Sequence, residues 1–240
     1  MPSLRSGKPD SGLVEDVVVA NRILYQQGVV DGFGHVSVRH AKNRFLMSRS
    51  LAPALVTADD ILEFDLDANP IDKRDHKLYL ERFIHSEIYR ARPDVRSVIH
   101  SHSPTVVPFG VSATPLRPLA QVSGFLGLGV PVFEIRKFDH GPDLLISDAA
   151  LGKALAQVLG DKAVVLMRGH GSTAVGNSLR QAVWRAIYTE VNAGQQVVAM
   201  QLGPVVYLNP EEARYAADHV PQDPDRAWDL WKRKALSDSE

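Results

Sequence analysis

The stretch LYLERFIHSEIYRARPDVRSVIHSHSP, residues 78–104, decides the fold, because a helix pattern passes within a few residues into a strand pattern. Four apolar residues recur in it at helical spacing: Leu80, Ile84, Ile88 and Ala91. They predict a helix over 78–91, and Pro93 lies just past its end, where a helix normally stops. The apolar run VRSVIHSH, residues 95–102, predicts the strand that follows.

The predicted strand ends on two histidines, His100 and His102. Side chains alternate along a strand, so residues two apart face the same side and can converge on one point. A third histidine, His170, follows the apolar run AVVLMR and is flanked by glycines that let backbone or ligand come close. Glu81, on the predicted helix, adds a carboxylate, and His85 lies on the same helix face. Three neutral imidazoles and a carboxylate suit a divalent cation such as zinc or manganese.

An H-x-H pair by itself is a weak signal, because such pairs often serve packing and bind nothing. Its spacing also leaves other metal folds open. Cupins use H-x-H with a Glu, but there the Glu follows the pair, whereas Glu81 precedes it. Amidohydrolase barrels use H-x-H on an early strand, but they need a longer chain than 240 residues. We interpret His40, His76, His140 and His219 as surface or loop residues.

Composition narrows the function classes. The net charge is −1, from 27 basic and 28 acidic residues, which indicates neither a nucleic-acid partner nor a membrane surface. There is no cysteine, so disulfides and thiolate metal ligands are excluded. No apolar run reaches the roughly 18 to 20 residues that span a bilayer. The polar start MPSLRSGKPDSG has no apolar signal region, so we expect a cytoplasmic location.

The rest of the chain is expected to form one domain. Residues 1–12, rich in Ser, Gly, Pro and charge, are predicted to be disordered, and 13–240 to form a single domain with a helical C-terminal tail. Patterns along the chain predict four more helices: from Val14 to near Gly28, one capped by Ser147, from Ser178 to about Met200, and from Glu211 onward. They also predict a strand–turn–strand unit at 35–48, a capped turn at Thr57 before a strand to Leu66, and strands at 130–135, 163–168 and 205–209. The segment GFLGLGV, residues 124–130, is predicted to be a turn or loop. This mixture, without a clean βαβ repeat, predicts a mostly antiparallel or mixed sheet covered by helices.

The chain resembles the class II aldolase/adducin family over about residues 14–210. The matching stretches are GFGHVSVRH, LYLERFIHSEIYRARPDVRSVIHSHSP, VLMRGHGSTAVG and AVWRAIYTEVNAGQQ. The resemblance implies an α/β protein of three α/β/α layers with a central, mainly antiparallel sheet. It also implies one divalent metal ion per subunit, zinc or manganese, held by Glu81, His100, His102 and His170, with His85 in a supporting role. Members of the family are typically homotetramers with active sites between subunits.

Two departures from the family pattern bear on the substrate. Sugar-phosphate members carry a Gly-Asn pair in the early loop and a Ser-Ser pair before the metal Glu, and both help hold the phosphate. Here those pairs are Gly34-His35 and Tyr79-Leu80, so we do not expect a phosphorylated sugar. The segments MSRSLAP and LYLERFIHSEIYRARPDV resemble instead a branch that decarboxylates hydroxylated aromatic or pyridine dicarboxylates, and this resemblance implies a role in aromatic compound catabolism.

The resemblance therefore implies a metal-dependent decarboxylase acting on a small-molecule carboxylate, with the metal as Lewis acid. Glu81 would act as ligand and proton carrier, either His35 or a metal-bound water as the acid, and His35 also as a substrate contact. Arg49, whose planar fork suits a carboxylate, would take part in catalysis and, with Ser48, would bind the substrate, whereas Lys77 is interpreted as solvated. One alternative is an aldolase or retro-aldolase on a non-phosphorylated substrate, which shares the enolate step. Another is a non-catalytic, adducin-like interaction domain, against which the four filled ligand positions argue.

Overall fold

The computed structural model describes residues 9–71, 75–138, 142–222 and 224–237. Within these ranges the helices are α1 Ser11–Gln26, α2 Arg82–Ala91, α3 Val107–Val111, α4 Ala149–Leu159, α5 Leu179–Leu202, α6 Pro210–His219 and α7 Asp225–Ser237. The strands are β1 His35–Ala41, β2 Arg44–Ser48, β3 Ile61–Asp65, β4 Ser97–Ser101, β5 Val132–Phe133, β6 Val164–Met167 and β7 Gly171–Gly176. Short 3-10 turns occupy Pro53–Leu55, Ala58–Asp60, Gln121–Leu128 and Ile135–Phe138.

The strands form one sheet in the order β3-β2-β1-β4-β7-β6-β5. Neighbouring strands are antiparallel except β5 and β6, which are parallel. One core cluster joins the sheet to α1, α5 and α7, and a second joins it to α2 and α4. The sheet therefore lies between two helical layers. This confirms the predicted three-layer α/β/α fold with a mainly antiparallel sheet.

Alternation along the central strands positions the site. On β4, Ile99 belongs to the core beneath α1 and α5, and Val98 to the core beneath α2 and α4. His100 follows Val98 by two residues, so its side chain faces the α2 layer. In the antiparallel register, His100 pairs with His35 of β1 and with Thr173 of β7. The strands β1, β4 and β7 therefore each place one of these residues at the same height in the sheet.

The N-terminal helix begins earlier than predicted. Helix α1 starts at Ser11, and the carboxylate of Asp10 accepts a hydrogen bond of 2.8 Å from the Gly12 N–H. Asp is a strong N-cap residue because its oxygen satisfies a backbone donor that the first helical turn leaves unpaired. Helix α1 therefore includes Ser11 and Gly12, the last two residues of the segment predicted to be disordered. Residues 1–8 of that segment and His140 lie outside the described residues.

Helix α2 begins later than predicted, at Arg82 rather than Leu78. Glu81 occupies the N-cap position immediately before it, so the prediction that Glu81 lies on the helix is wrong. Leu80 is 60% exposed instead of joining the apolar stripe. Side-chain hydrogen bonds hold the preceding segment in an irregular conformation, since Tyr79 O–H donates to the Leu51 carbonyl and Arg82 donates to the Tyr79 carbonyl.

Other predicted boundaries also change. Asp148, not Ser147, caps α4, because its carboxylate accepts the Leu151 N–H at 2.9 Å. The predicted strand at 205–209 is irregular chain that leads to α6. Residues 124–130, predicted to be a turn or loop, lie mostly in the 3-10 turn Gln121–Leu128. The capped turn at Thr57 and the N-cap at Ser178 are confirmed. Of the helices in the described part of the chain, none combines the length and the apolar character needed to cross a bilayer.

Candidate metal centre

Four side chains converge beside β4: Glu81, His100, His102 and His170, with one ligand atom of each within 4.8 Å of the others. The Nε2 of His102 lies 3.0 Å from the Nε2 of His100 and 2.9 Å from that of His170. Glu81 Oε2 lies 3.4 Å from the Nε2 of His100 and, equally, 3.4 Å from that of His170. Ligands that share one zinc ion at about 2.0–2.1 Å are themselves roughly 3 to 3.4 Å apart. Four of the six distances among these atoms, from 2.9 to 3.4 Å, therefore match the spacing of ligands that share one ion.

Glycines on either side of His170 allow the approach, as their spacing predicted. Gly169 has a φ of +66°, in the left-handed region that favours glycine, so the chain turns sharply between β6 and β7. A Cβ atom on Gly171 would lie 2.0 Å from the Ser101 carbonyl oxygen. Only glycine permits β7 to lie that close to β4, and this contact brings His170 to His102.

Backbone carbonyls decide which nitrogen of two imidazoles is free to bind. His100 Nδ1 lies 3.0 Å from the Ser172 carbonyl oxygen, and His170 Nδ1 lies 3.0 Å from the Leu144 carbonyl oxygen. A carbonyl oxygen can only accept, so each Nδ1 carries a proton and each neutral ring keeps an Nε2 lone pair. These lone pairs face one another and the Glu81 carboxylate, an arrangement of acceptors that only a cation or extra protons can relieve. The donor set therefore fits a divalent metal ion, and the carbonyls orient its ligands.

Charge at the site agrees with that fit. Burial raises the pKa of Glu81, but the charges and hydrogen bonds of His100 and His170 outweigh burial and lower the pKa well below its usual range. Burial, reinforced by repulsion from His100 and His170, lowers the pKa of His102 to about 4. His170 differs, because its bond to Glu81 outweighs burial and raises its pKa. An ionised carboxylate and an unprotonated His102 are the forms that bind metal, and a proton on His170 would compete with it.

A cavity of about 480 Å³ opens onto this cluster. Glu81, His100 and His102 are among its lining residues, and much of the remaining lining is apolar, from Phe33, Leu51, Ala52, Leu78, Leu80 and Leu145. Lys77, which is exposed as the sequence suggested, also lies in the lining of this cavity. A cavity of this kind can hold a flat, largely apolar ring that carries anionic groups.

The other predicted site residues divide into two groups. His35 is buried and lines the cavity, with its ring centroid 5.0 Å from that of His100. Ser48 and Arg49 are not among the described residues that line it. Arg49 Nε instead donates to Asp60 Oδ1 at 2.6 Å, and the Ser48 hydroxyl lies 3.4 Å from that of Tyr79. Their placement supports a role in ordering the loop behind Tyr79 rather than in contacting substrate.

A buried hydrogen-bonded chain behind His35 was missed by the sequence interpretation. His35 Nδ1 lies 2.6 Å from His85 Nε2, His85 Nδ1 lies 2.6 Å from Ser37 Oγ, and Ser37 Oγ lies 2.7 Å from the Tyr89 hydroxyl. Burial, with a further contribution from the charge of His100, lowers the pKa of His85 to about 3, so this imidazole is neutral. The sequence did contain a signal: His35 and Ser37 are two apart on a strand, and His85 and Tyr89 are four apart on a helix.

Comparison with known proteins places the chain in a family. The family model described as Class II Aldolase and Adducin N-terminal domain matches residues 15–197. The decarboxylase tropJ of Talaromyces stipitatus is 40% identical, over 94% of this chain and 95% of that protein. The 3,4-dihydroxyphthalate decarboxylase of Arthrobacter keyseri is 31% identical, over 80% of this chain and 81% of that protein.

Solved structures agree with this at the level of the fold. An aldolase II superfamily protein from Pseudomonas syringae superimposes with a TM-score of 0.80 at 22% identity, covering 98% of this chain and 96% of that one. The L-fuculose 1-phosphate aldolase of Glaciozyma antarctica gives 0.77 at 24% identity, covering 94% and 88%. The chain belongs to the class II aldolase/adducin family, which confirms the resemblance. It is an enzyme of the lyase class.

Proposed function

We propose that this protein is a divalent-metal-dependent decarboxylase of a hydroxylated aromatic or pyridine dicarboxylate. The observation that carries the proposal is the Glu-His₃ cluster at a largely apolar cavity that also contains a lysine. That the enzyme is a carboxy-lyase follows from its relatives, several of which are named decarboxylases. The named substrate of one, 3,4-dihydroxyphthalate, is a hydroxylated aromatic dicarboxylate and supports the finer proposal.

The ion would be held by Glu81, His100, His102 and His170, and zinc and manganese both suit that ligand set. When bound, it supplies Lewis acidity that stabilises the negative charge developing on the substrate as carbon dioxide leaves. The backbone N–H of Ile146 donates to Glu81 Oε1 at 3.1 Å, so Oε2 is the oxygen turned toward the histidines. Glu81 would also carry a proton during the reaction, as the resemblance implies.

The cavity's own residues would bind and orient the ring. Its apolar walls exclude water, which strengthens every charge interaction inside. Lys77 is the proposed partner of the second carboxylate, in place of Arg49, because Arg49 is committed to Asp60. His35 brings to the cavity a ring outside the metal-binding cluster, and it is the proposed substrate contact and acid.

A sugar-phosphate substrate is less well supported by the same geometry. Tyr79 and Leu80 stand where sugar-phosphate members carry two serines. The Tyr79 hydroxyl is already bonded to the Leu51 carbonyl oxygen, and Leu80 has no polar group to offer a phosphate. Aldol or retro-aldol cleavage of a non-phosphorylated substrate is the alternative, since decarboxylation and aldol cleavage share their charged intermediate and need the same metal ligands.

The assembly and location are also proposed. We infer a cytoplasmic homotetramer with active sites between subunits, as the resemblance implies. Apolar side chains exposed on α5 and just beyond it support a subunit contact there: Val197, Val198, Met200, Leu202 and Val206. Light scattering of the purified protein should give the mass of four chains, and a monomeric mass would contradict this proposal.

The test of the reaction is a screen of zinc- and manganese-loaded protein against hydroxylated aromatic and pyridine dicarboxylates, with carbon dioxide and aldehyde both measured. We expect carbon dioxide release that is lost in His102→Ala. His219→Ala is the matched control, because that exposed imidazole bonds to the Tyr215 carbonyl far from the cluster. Aldehyde without carbon dioxide would favour the aldolase alternative. Full activity in His102→Ala, or protein that binds no divalent ion, would overturn the assignment.

A further inference from the structure

The chain of hydrogen bonds behind His35 has two ends with different surroundings. At one end the His35 ring lines the cavity, and its Nε2 has no hydrogen-bond partner among the described residues. At the other end Tyr89 is almost fully buried, 1% exposed, with its ring against Phe45 and the Arg39 guanidinium 4.7 Å from the ring centroid. The proton positions along the chain depend on which end donates.

The buried end determines the direction. Ser37 Oγ, 2.7 Å away, is the acceptor that the described residues offer to the Tyr89 O–H. If Ser37 donated to Tyr89 instead, the phenolic proton would be buried without an acceptor, which is an unfavourable arrangement for any hydroxyl. Tyr89 therefore donates to Ser37.

The remaining protons follow from this first step. The Ser37 hydroxyl, which accepts from Tyr89, has its single proton left for His85 Nδ1 at 2.6 Å. His85 is neutral, so with Nδ1 accepting it carries its proton on Nε2 and donates to His35 Nδ1 at 2.6 Å. A neutral His35 that accepts on Nδ1 carries its own proton on Nε2, the nitrogen left without a partner inside the protein.

We infer that Tyr89, acting through Ser37 and His85, holds His35 in the tautomer protonated on Nε2, so that His35 presents an N–H donor to the cavity. Tyr89, Ser37 and His85 are thus positioning residues. The tautomer itself follows from the protein alone, whereas its use rests on the proposed function. A carboxylate or ring oxygen of an anionic substrate would meet a donor, and with the opposite tautomer it would meet a lone pair and be repelled.

The first test reads the tautomer directly and needs no substrate. Histidine-selective ¹⁵N labelling of the full-length, zinc-treated protein at neutral pH distinguishes the two tautomers of each ring by two-bond ¹H–¹⁵N spectra. Signals are assigned by their loss in His35→Gln and His85→Gln. We expect both rings to be protonated on Nε2 in the wild type. We expect Tyr89→Phe, which keeps the packed ring, to give a mixture of tautomers at both.

Ser37→Ala provides a second variant that breaks the same chain, in case Tyr89→Phe does not fold. Ser97→Ala is the matched control. Ser97 is a buried serine on the neighbouring strand whose hydroxyl donates to the Ser37 carbonyl at 2.7 Å, and it is not part of the hydrogen-bonded series from Tyr89 to His35. Thermal unfolding and zinc content establish that each variant is folded and loaded. A wild-type His35 protonated on Nδ1, or tautomers unchanged in both Tyr89→Phe and Ser37→Ala, would overturn the inference.

Kinetics separate this inference from the proposed function. With a substrate that releases carbon dioxide, we expect kcat/KM to fall about tenfold in Tyr89→Phe and Ser37→Ala, the size of one lost hydrogen bond, and to stay unchanged in Ser97→Ala. If no dicarboxylate is decarboxylated but the tautomers behave as expected, the proposed function fails and the inference stands. If substrates turn over but the tautomers do not respond, the inference fails alone.

Discussion

Gly171→Ala should damage the metal centre without changing any ligand. The new Cβ would lie 2.0 Å from the Ser101 carbonyl oxygen, whereas close carbon–oxygen contacts in proteins are about 3.3 Å or longer. The strands β4 and β7 must therefore separate by roughly 1 Å, at the point where His170 meets His100 and His102. Overpacking of this kind costs about 1–3 kcal/mol. A displacement of about 1 Å in a catalytic group can cost roughly 100-fold in rate.

Two measurements on Gly171→Ala check this reasoning. Calorimetry should show a melting temperature lower by about 4–8 °C for a loss of roughly 2 kcal/mol in a chain of this size. Competition with a coloured chelator should show zinc affinity lower by at least about tenfold, as expected when ligands are displaced. Gly12→Ala is the control, because its Cβ would meet just the Asp10 carboxylate oxygen at 3.4 Å. Unchanged melting and zinc affinity in Gly171→Ala would refute the close approach of the two strands.

Three further predictions test other parts of the site. Glu81→Gln keeps the shape of the side chain but removes its charge, so zinc content after dialysis should fall from about one ion per chain to well below half, and full occupancy would show that Glu81 is not a ligand. Lys77→Met should raise KM for dicarboxylate substrates about tenfold with little effect on metal content, and an unchanged KM would remove Lys77 from the substrate site. Burial raises the pKa of Asp60, but hydrogen bonds from Thr57 and Arg49 outweigh burial and lower this pKa. The ionised carboxylate therefore stabilises the fold above about pH 4, and this stabilisation is lost as the pH falls through the lowered pKa. Urea unfolding should therefore show Asp60→Asn to be destabilised at pH 7, with a smaller difference from the wild type at pH 2, and an equal difference at both pH values would contradict this.

Local patterns predicted the elements whose cause is local. The Thr57 cap, the Ser178 cap and the central strands arise from residues close together in the chain, and each is found. Alternation along β4 placed His100 and His102 on one face, and the glycines beside His170 marked a close approach. These are properties of backbone geometry, so they could be interpreted without knowing what else packs nearby.

The errors occurred where distant residues compete for a side chain. Helical spacing placed Glu81 within α2, but hydrogen bonds of Tyr79 to the loop at Leu51 keep the chain before Arg82 irregular. For Arg49, which has the right chemistry for a carboxylate, the structure shows a hydrogen bond to Asp60, eleven residues away. Spacing along the chain contains no information about such pairings, because they depend on how the turn after β2 packs.

The sequence by itself determined the class of fold, through its resemblance to the class II aldolase/adducin family. The same resemblance, added to strand alternation and to the glycines beside His170, indicated the four side chains that converge. Tertiary structure alone decided how those groups can be used. It brings the Ser172 and Leu144 carbonyls to His100 and His170, which directs their lone pairs to one point. It also joins residues of β1 and α2, about 50 positions apart in the chain, into the Tyr89–Ser37–His85–His35 chain. Hydrogen-bond direction depends on which donors and acceptors are buried together, and only the packed structure determines that.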